Sequence, residues 1–188
     1  LHPQRKLEQL AKLDTAAPIL SNTLTVSATS ARAAAAAGAG RPVVLIGLPL
    51  LPHYVARQTS LEYAHPHGVS GDDQVKGDKA IQGFLAATGK TGERINDAVG
   101  GVFPRTLAMI INEAAFAVQE SVASAADIDT AMKLGTNYPK GPLAWCDEIG
   151  ARAIVAILDG LAQEYGSERY RVAALLRRTA EAAGHFHA

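Results

Sequence analysis

The side chains able to move a proton or hold an anion are few in this sequence. Glu62 lies in the short run of residues 61–64, where a carboxylate can serve proton transfer or simply be solvated. Lys6 can meet a phosphate, and equally fits the exposed face of a helix. Ser21-Asn22-Thr23 ends a short apolar run. It suits a ligand loop at a strand end in an α/β fold, and equally an ordinary turn. His53, His65 and His67 are metal-ligand types, but a proline separates the last two and no cysteine or carboxylate trio completes a tetrahedral set. No metal site is expected. Cys146, the single cysteine, excludes an intrachain disulfide framework and reads as a small buried residue rather than a nucleophile. His185 and His187 fall in what reads as a frayed tail.

The elements that must position these groups follow from apolar spacing. Residues 3–13 read as a helix with Leu7, Leu10 and Leu13 on one side. Residues 18–20 read as a buried strand, 27–37 as an alanine-rich helix closed by Gly38-Ala39-Gly40, and 43–46 as a second buried strand. This order implies a parallel α/β arrangement. The loop of residues 47–52 is apolar, and its prolines lack ladder amides. A third strand is expected over 61–64, and a helix over 72–88 ended by Gly89. Composition shifts at Gly100-Gly101, which marks a domain boundary. Everything after it reads as helical. Leu107, Ile110, Ile111, Ala114 and Val118 share one face, and Ser124 with Asp127 opens a helix to Leu134. One or two helices span 143–165 with Ile154, Ile157 and Leu161 inward, and a last helix spans 171–183. Asn112-Glu113, on a largely apolar helix, is expected to make interdomain or dimer contacts.

Composition excludes several function classes. The 188 residues carry 18 basic and 18 acidic side chains, a formal net charge of zero, so no nucleic-acid footprint or polybasic membrane patch is expected. No apolar run reaches the ~20 residues needed to span a bilayer. A cytoplasmic location is expected. Leu1 opens the chain without a methionine or a charged-then-apolar signal segment, so a fragment and a whole chain both stay open.

Residues 135–150 are the most constrained stretch. Gly135, Pro139, Gly141 and Pro142 restrict the backbone between two helices, and Asp147 is expected to fix the turn by capping. This stretch also carries a family resemblance. With residues 105–107, 111–114, 126–129 and 132–135 it resembles the C-terminal domain of the 3-hydroxyacyl-CoA dehydrogenases. Ser21-Asn22-Thr23, Ile46-Gly47 and Gly89-Lys90-Thr91 resemble, in order, the later part of that family's nucleotide-binding domain. The resemblance implies an α/β partial Rossmann-like domain over residues 1–100, then an all-α helical domain over 101–188. It implies NAD as cofactor, an acyl-CoA as partner and a homodimer formed through the helical domain. It also implies hydride transfer on a 3-hydroxyacyl thioester, with a histidine base oriented by a glutamate.

Carried over residue by residue, the resemblance gives Glu62 as the catalytic carboxylate, Lys6 as a cofactor contact, and Ser21 and Asn22 at the substrate. It also exposes departures. Pro49 stands where the histidine is expected, two residues after Gly47, and His53 is displaced by four. Pro52, Leu24 and Pro104 replace an asparagine, a serine and a second asparagine of the site. No G-x-G-x-x-G precedes the first helix, and Gly38-Ala39-Gly40 comes too late to serve. The expectation is a dehydrogenase-like protein impaired in catalysis. The alternatives are an active enzyme with His53 as base, or a non-catalytic dimerisation module.

Overall fold

A computed structural model describes residues 2–52 and 54–187, so His53 lies outside the described residues. The chain divides after Pro104 into two units, an α/β unit and a helical one. In the first, α1 (Pro3–Leu10) precedes β1 (Ile19–Asn22), α2 (Ala28–Ala39) and β2 (Leu45–Leu48). α1 ends three residues short of Leu13, which is 41% exposed and has no core to join. β1 and β2 pair in parallel, Ile19 opposite Leu45 and Asn22 opposite Leu48. α2 makes the crossover, and its Ala28, Ala31 and Ala35 are fully buried, so small side chains let it pack closely. β2 starts two residues later than its β-branched run suggests. Arg32 Nε donates to the Val43 carbonyl, while the Val44 carbonyl accepts from Ile19 N at 2.9 Å.

β3 (Ser60–Tyr63) runs antiparallel to β2, through mutual amide–carbonyl bonds of 2.9 Å between Gly47 and Ala64. Counting outward from that bridge sets Pro49 across from Glu62 and Ile46 across from His65. These two pairs fall on opposite faces, because side chains alternate along a strand. α3 (Gly71–Thr88), capped by Ser70 and closed by left-handed Gly89, leads to β4 (Thr91–Arg94), which pairs in parallel with β3. β4 escapes a sequence reading because Thr-Gly-Glu-Arg is largely exposed and carries no apolar alternation.

The helical unit is built on α4 (Phe103–Gln119), α5 (Ala125–Thr136), α6 (Pro142–Ile149), α7 (Ala151–Tyr165) and α8 (Ala174–Glu181). Leu143, Ile154, Ile157, Leu158 and Leu161 are completely buried, each worth roughly 1.5–3 kcal/mol relative to exposure. Asn112 is not an interdomain contact. It is fully buried, donates to the Arg171 carbonyl and accepts from the Ala173 amide. That bond holds residues 171–173 out of the helix, so α8 begins only at Ala174.

The constrained connector is held differently from the sequence expectation. Asp129 of α5, not Asp147, caps α6: its two oxygens accept from the Leu143 and Ala144 amides at 2.8 Å each. Gly141 carries no capping side chain and Pro142 has no amide, so the free donors of the first turn fall to Asp129. Asp147 lies within α6 and turns instead to the C-terminal residues, accepting from Phe186 N at 2.7 Å and His187 N at 3.0 Å. His187 Nε2 also meets Asp129 at 2.9 Å. The stretch at 185–187 is thus docked rather than frayed. Gly141 is required by close approach, since a Cβ there would stand 2.1 Å from Asp129 Cγ. Gly141→Ala is therefore expected to lower stability by about 2 kcal/mol or more in chemical denaturation, against less than about 0.5 kcal/mol for an ordinary surface change. A neutral result would show that the carboxylate does not seat there.

Candidate functional site

Parallel β1 and β2 end together, and the chain after each is tied to the other. Thr23 N donates to Leu48 O at 3.0 Å, and Gly100 N donates to Thr23 O at 2.9 Å. Asn22 binds across the gap: its Nδ2 donates to Leu50 O at 2.8 Å, while its Oδ1 accepts from Leu24 N at 3.0 Å. Crevices outside the carboxyl ends of parallel strands are where open α/β sheets bind ligands. Here a pocket of about 330 Å³ is lined by His2, Arg5, Lys6 and Gln9 of the α1 region with Asn22, Leu24 and Thr25. The structure therefore brings Lys6 and Asn22 together. Ser21 is buried inside β1 opposite Gly47. Arg5 and Gln9 join the pocket because residues three and four apart share a helix face, a pattern visible around Lys6 in the sequence.

Lys6 is not a surface lysine. Its Nζ is buried without a hydrogen-bond partner, and burial lowers its pKa from 10.5 to about 8. An ammonium in such a place is costly unless an anion meets it. The lining side chains, Arg5 and Lys6 with no carboxylate among them, provide the matching chemistry.

Glu62 is not a solvated side chain either. Its Oε2 and Oε1 accept from Val102 N and Phe103 N, each at 2.8 Å, where α4 begins. A carboxylate suits that helix end twice over, satisfying free amides and the positive end of the helix dipole. Beside it stands Pro49. A Cβ built on Gly101 would lie 2.4 Å from Pro49 Cγ and 2.5 Å from Glu62 Oε2, so both side chains converge on one point. Gly101, at φ 59°, leaves room for them. Pro49 presents no atom that takes or gives a proton, and Leu50 and Leu51 follow it.

The remaining candidates lie elsewhere. His65 Nε2 meets Asp78 at 2.8 Å, while its Nδ1 is buried without a partner beside Gly77 of α3. It occupies the face opposite Glu62. His67 contributes its amide to Thr29 Oγ1 at 2.8 Å. Cys146 is fully buried, and burial followed by the Asp147 charge raises its pKa to about 12, which keeps it a thiol. Among the described residues no group of three His, Cys, Asp or Glu side chains is placed to hold a metal ion. Among the described residues no helix is long and apolar enough to cross a membrane.

Comparison with known proteins bears on the family and the fold. Residues 100–186 match the family described as 3-hydroxyacyl-CoA dehydrogenase, C-terminal domain. The chain is 53% identical over 102 residues to the 3-hydroxyadipyl-CoA dehydrogenase of Escherichia coli (strain K12), covering 54% of this chain and 21% of that one. It is 33% identical over 165 residues to a probable 3-hydroxybutyryl-CoA dehydrogenase of Deinococcus radiodurans, covering 87% and 56%. The crystal structure of 3-hydroxybutyryl-CoA dehydrogenase from E. coli K12 superposes with a TM-score of 0.72 at 38% identity, covering 88% of this chain and 32% of that one. The chain thus spans little more than half, or less, of the length of these relatives.

Lys6 generates a pH test. Below pH 8 the folded protein carries the buried charge in full, whereas the unfolded lysine stays charged up to 10.5. Stability from this group therefore rises as pH climbs from 8 to 10.5. Lys6→Met removes the penalty, so the ligand-free variant should be more stable than wild type at pH 7, by about 1–2 kcal/mol after allowing for solvent screening. The gap should close toward pH 10.5, as read by denaturant titration at both ends. A gap that does not change with pH would mean that the amine is not desolvated.

Proposed function

Because the chain belongs to the 3-hydroxyacyl-CoA dehydrogenase family, we propose that it is a 3-hydroxyacyl-CoA dehydrogenase-like protein impaired at proton abstraction. The observation that carries this reading is Pro49, across from Glu62 where a histidine base would stand. The family's reaction removes a proton from the substrate hydroxyl as hydride leaves carbon, and a base must lie within hydrogen-bond reach. Both oxygens of Glu62 hold the opening amides of α4.

NAD fits part of what the chain offers. The orphaned Lys6 amine, with Arg5, Asn22 and Thr25 around it, suits a polar and anionic portion of a dinucleotide, while Leu24 and Pro52 bring no polar contact. When bound, NAD would supply the hydride acceptor. On this reading Lys6 and Arg5 hold negative charge, Asn22 sets the loop after β2 through Leu50, and Ser21 supports the strand end beneath. An acyl-CoA is the expected partner, and the cytoplasm the expected location.

A homodimer through the helical unit belongs to the same proposal. Leu134 and Val122, 82% and 72% exposed, are large apolar side chains that association would cover. A non-catalytic dimerisation role is the second reading, favoured by the same residues.

The test uses the full natural chain with 3-hydroxybutyryl-CoA and NAD, followed by NADH absorbance. Wild type should show no turnover above background, and Pro49→His should gain turnover by placing an imidazole beside Glu62. Wild-type turnover would refute impairment. Absence of turnover in both proteins, with acyl-CoA binding also absent, would favour the dimerisation module.

A further inference from the structure

We propose that Lys6 is an acylation site, its ε-amine in the wall of the pocket at the ends of β1 and β2 taking the acyl group of a short thioester. The nitrogen attacks the thioester carbonyl, an N–C bond forms and the C–S bond breaks. The sulfur leaves as a thiolate, and the proton lost by the amine passes to that thiolate or to water. The products are a neutral Nε-acyl-lysine and a free thiol, so no oxidant or reductant is needed. The choice of a thioester as donor rests on the family reading; the reactivity of the amine does not.

Three observations support the assignment. Lys6 Nζ has no hydrogen-bond partner, so no acceptor holds its proton and no donor its lone pair. The residue lines an open pocket at the ends of β1 and β2. Desolvation sets its pKa at about 8, so near pH 8 roughly half of the amine is neutral, against about 0.3% for an ordinary lysine at 10.5. Desolvated lysines are activated in this way in enzymes that use them as nucleophiles. Acylation also removes the unmatched buried charge, so the product escapes the cost that the free ammonium bears. Arg5 remains cationic in the same pocket and favours an anionic carrier there. The modified pocket would lose one of its two ammonium or guanidinium charges, and with it affinity for an anionic ligand.

The experiment incubates the full chain with acetyl-CoA, and in parallel with the uncharged thioester S-acetyl-N-acetylcysteamine, from pH 6.5 to 9.5. Peptide mass spectrometry compares Lys6 with Lys12, an exposed lysine just beyond the same helix. Lys6 should acylate at least about tenfold faster at pH 8, since its gain in neutral amine outweighs the lower nucleophilicity that a lower pKa brings. Its rate should level off above about pH 8 while that of Lys12 keeps rising, and the preference should vanish in urea. Equal rates at the two lysines, or a preference that survives unfolding, would overturn the proposal. Preferential acylation by the uncharged thioester but not by acetyl-CoA would leave Lys6 assigned and count against the acyl-CoA reading. Slow acylation despite measured acyl-CoA binding would do the reverse.

Discussion

Each half of the structure depends on one repeated interaction, a carboxylate gripping two consecutive backbone amides. Asp97 accepts from Ala28 N and Thr29 N at 2.7 and 2.8 Å, where α2 begins. Glu62 does the same at Val102 and Phe103, and Asp129 at Leu143 and Ala144. Asp147 repeats it at Phe186 and His187, away from any helix start. The first three carboxylates are distant in sequence from the helix they cap, 69 residues in the case of Asp97 and Ala28. Each bond is therefore both a cap and a tertiary tie. Charge-assisted bonds at a helix start also draw on the helix dipole, so each clamp is worth more than a neutral side-chain cap.

Much of the fold was legible because local rules set it. Ser27, Ser70 and Ser124 each cap the helix that follows, and Gly89 closes α3 in the left-handed conformation that its position calls for. The buried faces at Ile154, Ile157 and Leu161 follow from helical spacing alone. What escaped reading was set by partners far along the chain. The late start of α8 goes with Asn112 holding the Ala173 amide. The connector shows the limit most clearly. Its rigidity could be read from its glycines and prolines, yet the acid that caps it comes from the preceding helix, and only packing selects Asp129 over Asp147.

The candidate site was legible as a set of residue types but not as an environment. Lys6 and Asn22 were identifiable, and they do share a pocket. Nothing in the sequence distinguished a solvated lysine from one buried without a partner, because burial of Nζ depends on how α1 lies over the end of β1. Nor did the sequence show that both polar atoms of Asn22 are engaged by the Leu50 carbonyl and the Leu24 amide. That engagement makes Asn22 first a support for the loop carrying Pro49.

The same reasoning explains how the fold accommodates Pro49. A carboxylate whose sole partner was an imidazole would be left bare when that imidazole is replaced, and a buried unpaired charge costs several kcal/mol. Glu62 does not face that cost. Its oxygens are met by two amides at the positive end of α4, and those amides need an acceptor whatever residue stands at position 49. A proline also suits the place sterically, since its ring lies against Gly101. The capping role of Glu62 thus holds the architecture together whatever residue stands at position 49, so the fold alone gives a physical reason for an acid at position 62.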